Sequence, residues 1–488
     1  MSLFSRSTHR LPWLAAVGSA CVLLAVLALG CTPSEPASAL EQGAQPIIVI
    51  DIGTLRADRL GLYGYERPTS VHLDRWAEEA VVFDWTFSQA PSTGPAQASL
   101  FTGLYPTTHG WRDDTGKLGE EVETLAEILS AAGWRTAAFV DGGFLSEGFG
   151  LEQGFEEWQN LRGQGFAATV PAAIEWLEDH GEEPFLLLVH GYDVHAPYDP
   201  PADSRAALLG DAEAAAGFDA SAQRLEQARQ AAEQGDLPLS PEEVALASDL
   251  YDAEIHAVDQ QLRTLFEAIE RLGLDQRATI VVVSDHGEAF GEHGAVLHDR
   301  LYAPVTRIPL LIRFPGGSVA KRVPHLVEGV DLTPTLLEVA GLDVPTKMQG
   351  DSLLPLIEDR GAPRYFAFSE TTALGGANAV ALAGYHLVRS EADGRLELFH
   401  LAEDPLGAVD VAALEPDKIE AVIPQLSLVL GPLTAGIKGF NVQVDHIRLN
   451  PDTFVPEAME ASVLAAVDDP RGVFALGGMF NPALAALE

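Results

Sequence analysis

Cysteine is nearly absent from this chain of 488 residues, which has only Cys21 and Cys31. Cys21 lies inside an apolar run from Leu11 to Leu29, so a chain trimmed after that run keeps Cys31 alone and forms no internal disulfide. Stability must then come from core packing and any bound metal. Basic residues are also scarce, with 30 Lys and Arg against 71 Asp and Glu and a formal charge of −41. Residues 1–30 hold Arg6 and Arg10 and no acid, so removing them leaves −43. A field of that sign argues against nucleic acid as a partner. Its simplest reading is a soluble acidic surface, and an anionic substrate must be drawn in against it by local positive groups.

The N-terminus places Arg6, His9 and Arg10 ahead of the apolar run, which ends at Gly30-Cys31. Residues 1–30 are expected to be an export signal, and 31–45, rich in Ser, Pro, Ala and Glu, a tether. Ala28-Leu29-Gly30-Cys31 is similar to a bacterial lipobox, which implies that Cys31 becomes the first mature residue and carries lipid. The expected location is the bacterial envelope, as a membrane-anchored lipoprotein on the periplasmic side or the cell surface. The alternative is a permanent transmembrane anchor, since about 19 apolar residues nearly span a bilayer.

Hydrophobic residues make up 47% of the chain and glycine contributes 45 positions, enough for a large core. Ile47-Ile48-Val49-Ile50, Phe185 to Val189 and Thr279 to Val283 are continuous apolar runs, as in strands buried on both faces of a parallel sheet. Each ends in a polar cluster: Asp51 onward, His190 to His195, and Ser284-Asp285-His286. Open α/β sheets bind ligands outside such strand ends. Helical spacing is read over Val122 to Ala132, Val170 to Asp179 and Pro241 to Leu272.

The expected fold is α/β, a large mixed and mostly parallel sheet flanked by helices, with a smaller C-terminal subdomain containing an antiparallel sheet. The α/β domain is placed at 46–345 with a helical insertion near 200–245, the C-terminal subdomain at 346–434, and a tail of unknown role at 435–488.

Several segments recur in a fixed order. They are Thr54-Leu55-Arg56-Ala57-Asp58, Gly61 to Tyr65, Ala98 to Pro106, Asp193-Val194-His195-Ala196-Pro197-Tyr198, Ser284-Asp285-His286-Gly287-Glu288 and Gly291-Glu292-His293-Gly294. In this order the chain resembles the sulfatase branch of the alkaline phosphatase superfamily over most of residues 46–430.

The resemblance implies one divalent cation, Ca²⁺ or Mg²⁺, at the strand ends, and a nucleophile that attacks sulfur or phosphorus. Carried over, it implies metal ligands at Asp285, His286 and Asp51, although Asp285 and His286 read alone are residues that cap the segment after them. His195 falls at a substrate-contacting position and His298 toward the leaving group, and either can serve as the catalytic general acid. His190 and His293 join them as substrate contacts, and His109 is read as structural.

Two departures stand out. The family carries Asp immediately before Thr-Leu-Arg, where this chain has Gly53. Asp51 lies on the same strand face but about 6.6 Å further back, and its alternative role is pairing with an Arg or with backbone groups. The family's nucleophile is a Cys or Ser oxidised to formylglycine, followed by Pro, Ser and Arg. Here the stretch is Thr93-Gly94-Pro95-Ala96-Gln97.

The β-carbon of Thr bears a methyl group, so oxidation would give a ketone and formylglycine chemistry is excluded. A Thr hydroxyl still attacks phosphorus when activated, so Thr93 is either the nucleophile or a helix cap. Gln97, read as a substrate contact with His190 and His293, sets a neutral amide where the family has a cation.

Two functions follow. One is a metal-dependent hydrolase or transferase of sulfate or phosphate esters, acting on an anionic substrate such as a sulfated glycan or phospholipid. The other is a non-catalytic homologue that binds anionic glycans or lipids at the cell surface.

Overall fold

The β-branched runs become the centre of the molecule in a computed structural model, which describes residues 43–412 except 211–219, 234, 362–363, 365 and 383. The expected export signal, the lipidated Cys31 and the tail at 435–488 lie outside the described residues. No helix among the described residues is long and apolar enough to cross a membrane.

The main sheet is built from β1 (Ile47–Ile52), β2 (Val81–Phe87), β3 (Arg135–Val140), β4 (Glu157–Asn160), β5 (Phe185–Gly191) and β6 (Thr279–Val283). After the short pair β7 (Ala289–Phe290) and β8 (Val296–Leu297), it is completed by β9 (Arg307–Ile308), β10 (Leu310–Arg313) and β11 (Lys321–Glu328). The order is β11-β2-β10-β6-β1-β5-β3-β4, with β9 on β2. β1 runs parallel to both β5 and β6, whereas β10 is antiparallel to β6 and β2. A central strand with neighbours on both sides and layers on both faces has no polar face, which is why β1 reads as continuous isoleucine and valine.

One face of the sheet buries Ile48, Ile50, Leu187, Val189, Ile280 and Val282 against α2 (Phe166–His180) and α5 (Pro241–Arg271). Helix α1 (Thr93–Thr102), buried along its whole length, belongs to the other face, the one to which Asp51 points. Between α2 and α5 come β5 and the short helices α3 (Ala202–Leu209) and α4 (Ala222–Ala232).

The helix limits have local causes. Ser240 and Glu243 form a reciprocal capping box with Pro241 at the first position, so α5 starts where the sequence places it. The stretch expected from Val122 begins only at Leu125, because Thr124 caps it with Glu127. α2 begins earlier than its apolar spacing suggests, because Asp193 reaches back to accept the Phe166 N–H at 2.9 Å.

After α6 (Leu332–Val339), a separate antiparallel sheet follows, with strands β12 (Phe366–Thr371), β13 (Ala377–Leu382), β14 (Tyr385–Ser390) and β15 (Leu396–His400). It is anchored by Arg364, whose guanidinium pairs with the buried carboxylates of Glu328 and Asp331. Glu328 in turn accepts the Phe368 N–H at 2.7 Å.

Candidate active site

Strand register assembles the site. Asp51, wholly buried, pairs with His190 on β5 and Val283 on β6, so the Ser284-Asp285-His286 segment leaves β6 beside it. Asp285 Oδ1 accepts the N–H of Thr54 at 2.9 Å and of His286 at 2.8 Å. Burial pushes the Asp285 carboxyl up, but His286, the Thr54 N–H and His190 outweigh it, and the net shift is downward. Asp51 moves the other way, well above its usual range, through burial first and the nearby Asp285 second. The two carboxyl groups are thus pushed in opposite directions, Asp285 toward the charged form and Asp51 toward the protonated one.

Thr93 is the first residue of α1, and Ser92, not Thr93, stands at the cap. The Thr93 hydroxyl instead lies 3.2 Å from His286 Nε2. His286 Nδ1 sits 2.9 Å from the Gly287 carbonyl, which accepts a hydrogen bond only if Nδ1 carries the proton. Burial lowers the His286 pKa against the opposing pull of Asp285, whose Oδ2 lies 3.5 Å from Nε2, and in the neutral form so favoured Nε2 offers a lone pair to the Thr93 hydroxyl. A hydroxyl and a ring nitrogen thus stand in contact, both buried.

The outer wall is imidazole. The His298 ring lies 4.4 Å from that of His286 and 5.1 Å from that of His195. His298 Nδ1 is 2.8 Å from Glu288 Oε1, and the other Glu288 oxygen accepts the Tyr198 hydroxyl at 3.0 Å. Burial raises Glu288 to about 7 and lowers both His298 and His195. Arg229 of α4 pairs with Asp299 next to His298, tying α4 to this wall.

His190 is wholly buried with both ring nitrogens unpartnered among the described residues, and burial lowers it to about 4. His293 turns elsewhere: its ring stacks on Tyr302 at 3.7 Å and meets Phe399 of β15. His109, between Ser99 and the Trp111 N–H, is the structural histidine expected.

Two residues were not assigned a role from sequence. Glu288 belongs to a recognised motif, but its contact with His298 depends on how the chain turns between Gly287 and Leu297. Tyr192 lies within His190-Gly191-Tyr192-Asp193, and only the packing of its ring reveals it.

The residues present do not fit the divalent cation that the resemblance implies. Gln97 Nε2 donates to Asp51 Oδ2 at 2.5 Å, so Asp51 meets an amide and neither an Arg nor backbone. Asp285 Oδ1 is taken by two N–H groups, and both nitrogens of His286 are engaged. Buried and unpartnered are one oxygen each from Asp51, Asp285 and Gln97, against the six or more oxygens that Ca²⁺ or Mg²⁺ takes. Among the described residues no group of three or more His, Cys, Asp or Glu is placed to hold a metal ion.

A mostly parallel sheet with its functional groups at the strand ends, and a separate antiparallel sheet, define an alkaline phosphatase-like α/β protein. The sulfatase family model matches residues 45–342, and a second, N-sulphoglucosamine sulphohydrolase C-terminal, matches 291–430. The chain therefore belongs to the sulfatase family.

Among its relatives, an N-acetylglucosamine-6-O-sulfatase of Bacteroides thetaiotaomicron is 25% identical over 388 residues, covering 62% of this chain and 69% of the relative. An ulvan-active sulfatase of Formosa agariphila is 27% identical over 358 residues, covering 66% and 67%. In fold the chain is similar to BT4656 in complex with its substrate D-glucosamine-2-N,6-O-disulfate (TM-score 0.65, 21% identity, 80% of this chain and 99% of that one). It is equally similar to a phosphonate monoester hydrolase of Agrobacterium radiobacter (TM-score 0.67, 20% identity, 80% and 96%).

Proposed function

We propose that the protein is a hydrolase or transferase of sulfate or phosphate monoesters, with Thr93 as nucleophile. The observation that carries this reading is the 3.2 Å contact between Thr93 Oγ1 and the lone-pair nitrogen of His286. Thr93 attacks sulfur or phosphorus and its proton passes to His286 Nε2. Glu288, raised to about 7, shares its proton with His298 Nδ1, so the neutral His298 ring carries a proton on Nε2; that proton passes to the departing ester oxygen as Nδ1 takes the one from Glu288. Water, or an acceptor hydroxyl in a transferase, then displaces the group from Thr93, giving its proton back through the histidine wall. The names of the relatives support a sulfated sugar as the substrate class.

The test is release of 4-nitrophenol from its sulfate and phosphate esters by the full chain, and of sulfate from glucosamine-6-sulfate. Turnover lost in Thr93→Ala supports the proposal. Turnover that survives that substitution sinks it.

A second reading, a non-catalytic glycan-binding homologue, is favoured by Gln97, whose amide is tied to Asp51 where the family has an Arg. Wild-type protein that binds a sulfated glycan without hydrolysing any of the esters would establish it.

For location, we infer an envelope lipoprotein anchored through Cys31. The Cys31→Ala variant is expected in the soluble fraction and wild type in the membrane fraction; identical partitioning would contradict this.

A further inference from the structure

The stretch around Gly53 holds more than a missing carboxylate. A Cβ built on Gly53 would stand 3.0 Å from Tyr192 Cδ1, 3.2 Å from Tyr192 Cε1 and 3.4 Å from His190 Nε2. The phenol ring therefore already abuts the position from which a side chain at 53 would project. A carboxyl group extends beyond Cβ, so an Asp here would have to displace the ring.

The far side of the ring is accommodated in the same way. Its opposite edge and hydroxyl lie over Gly143 because that residue has no side chain: a Cβ there would stand 2.8 Å from Cε2 and 2.9 Å from the Tyr192 oxygen. Gly143 has φ +58, a conformation that glycine adopts at no steric cost. His190 meets the ring edge-on at 4.4 Å, and Asp141 accepts the Tyr192 N–H at 3.3 Å. Interiors packed this closely transmit added volume as strain.

We propose that Gly53 and Tyr192 are a complementary pair that closes this strand edge to divalent cations, the Tyr192 ring occupying the space into which a ligand side chain at position 53 would reach. The Gln97 amide on Asp51 Oδ2 completes the replacement, because it satisfies with a hydrogen bond an oxygen that a cation would otherwise take. The proposal goes beyond the reading of Thr93 as nucleophile and does not depend on turnover. It also predicts that restoring the carboxylate alone does not restore a metal site.

The test is calorimetric titration of the full chain in detergent with CaCl₂ and with MgCl₂, for wild type, Gly53→Asp and Gly53→Asp/Tyr192→Ala. Asp285→Asn gives the background from the acidic surface. Wild type and Gly53→Asp are expected to show no saturable heat above that background up to millimolar cation. The double variant is expected to bind at least tenfold more tightly than either.

Micromolar binding by wild type overturns the proposal. So does a single variant that binds as tightly as the double one, or a double variant that folds, as judged by circular dichroism, and binds nothing. If the double variant does not fold, Gly53→Asp/Tyr192→Ser is read by the same criteria. A separate check is the wild-type melting temperature in calcium against EDTA, where a rise in calcium larger than that of Asp285→Asn overturns the proposal.

Discussion

Replacing Arg56 by Met should destabilise the protein by about 3 kcal/mol. The guanidinium is fully buried and grips Asp58 through two hydrogen bonds, Nε to Oδ1 at 2.9 Å and Nη2 to Oδ2 at 2.8 Å. Its Nη1 donates to Glu292 Oε1 at 2.8 Å and to the Glu288 carbonyl at 2.9 Å. Methionine fills most of the volume but leaves two carboxylates facing a site without a cation. Breaking a buried pair costs roughly 3–5 kcal/mol. The lower end applies because the Asp58 and Glu292 side chains are 22% and 17% exposed and can recruit water.

The assay is urea unfolding, in which the midpoint falls by the loss divided by an unchanged slope. A triple variant, Arg56→Met/Asp58→Asn/Glu292→Gln, should recover half or more of the loss, since it removes the stranded charges. A loss below about 1 kcal/mol for Arg56→Met would refute the reasoning, because it would put the pair in the range of an exposed surface bridge.

Other expectations follow from the same contacts. Glu288→Gln should lower kcat by about tenfold to a hundredfold with KM nearly unchanged, since it loosens the orientation of His298 without touching Thr93; a raised KM with kcat unchanged would assign Glu288 to binding instead. Glu254, raised from 4.5 to about 8 by burial and then by Asp193, keeps a proton that the unfolded chain gives up. Stability is therefore greatest below pH 4.5 for this group and declines as pH rises to about 8. Glu254→Gln should flatten that decline and stabilise the protein at pH 8 by about 1–3 kcal/mol, read from urea midpoints across the pH range; an unchanged slope would contradict it. Arg364→Met should cost about 3 kcal/mol by stranding Glu328 and Asp331, and limited proteolysis should then cut first near β12.

The fold was legible where one kind of local chemistry dominated. Ile47 to Ile50, Phe185 to Val189 and Thr279 to Val283 have strands as their only reading once flanked by polar clusters, and all three lie side by side at the centre of the sheet. β2 and β3 were harder to see, because Asp84-Trp85 interrupts the apolar run of β2 and β3 opens on the polar pair Arg135-Thr136. The early start of α2 was invisible, since its cap comes from Asp193, 27 residues further on.

The same division holds at the site. Asp285, His286 and His195 sit in matched motifs, Thr93 and His298 at positions the resemblance marks outside them, and the fold brings the five together. The partnership of Gln97 with Asp51 and the wedge of Tyr192 between Gly53 and Gly143 are matters of packing across four chain segments. No spacing rule reports such contacts.

The most direct test of the central claim is turnover of 4-nitrophenyl phosphate and 4-nitrophenyl sulfate by the full chain with EDTA present, measured beside Thr93→Ala and His286→Ala. The account predicts turnover of at least one ester by wild type, reduced to background in both variants. No turnover of either ester by wild type, or turnover that persists in Thr93→Ala, would contradict it.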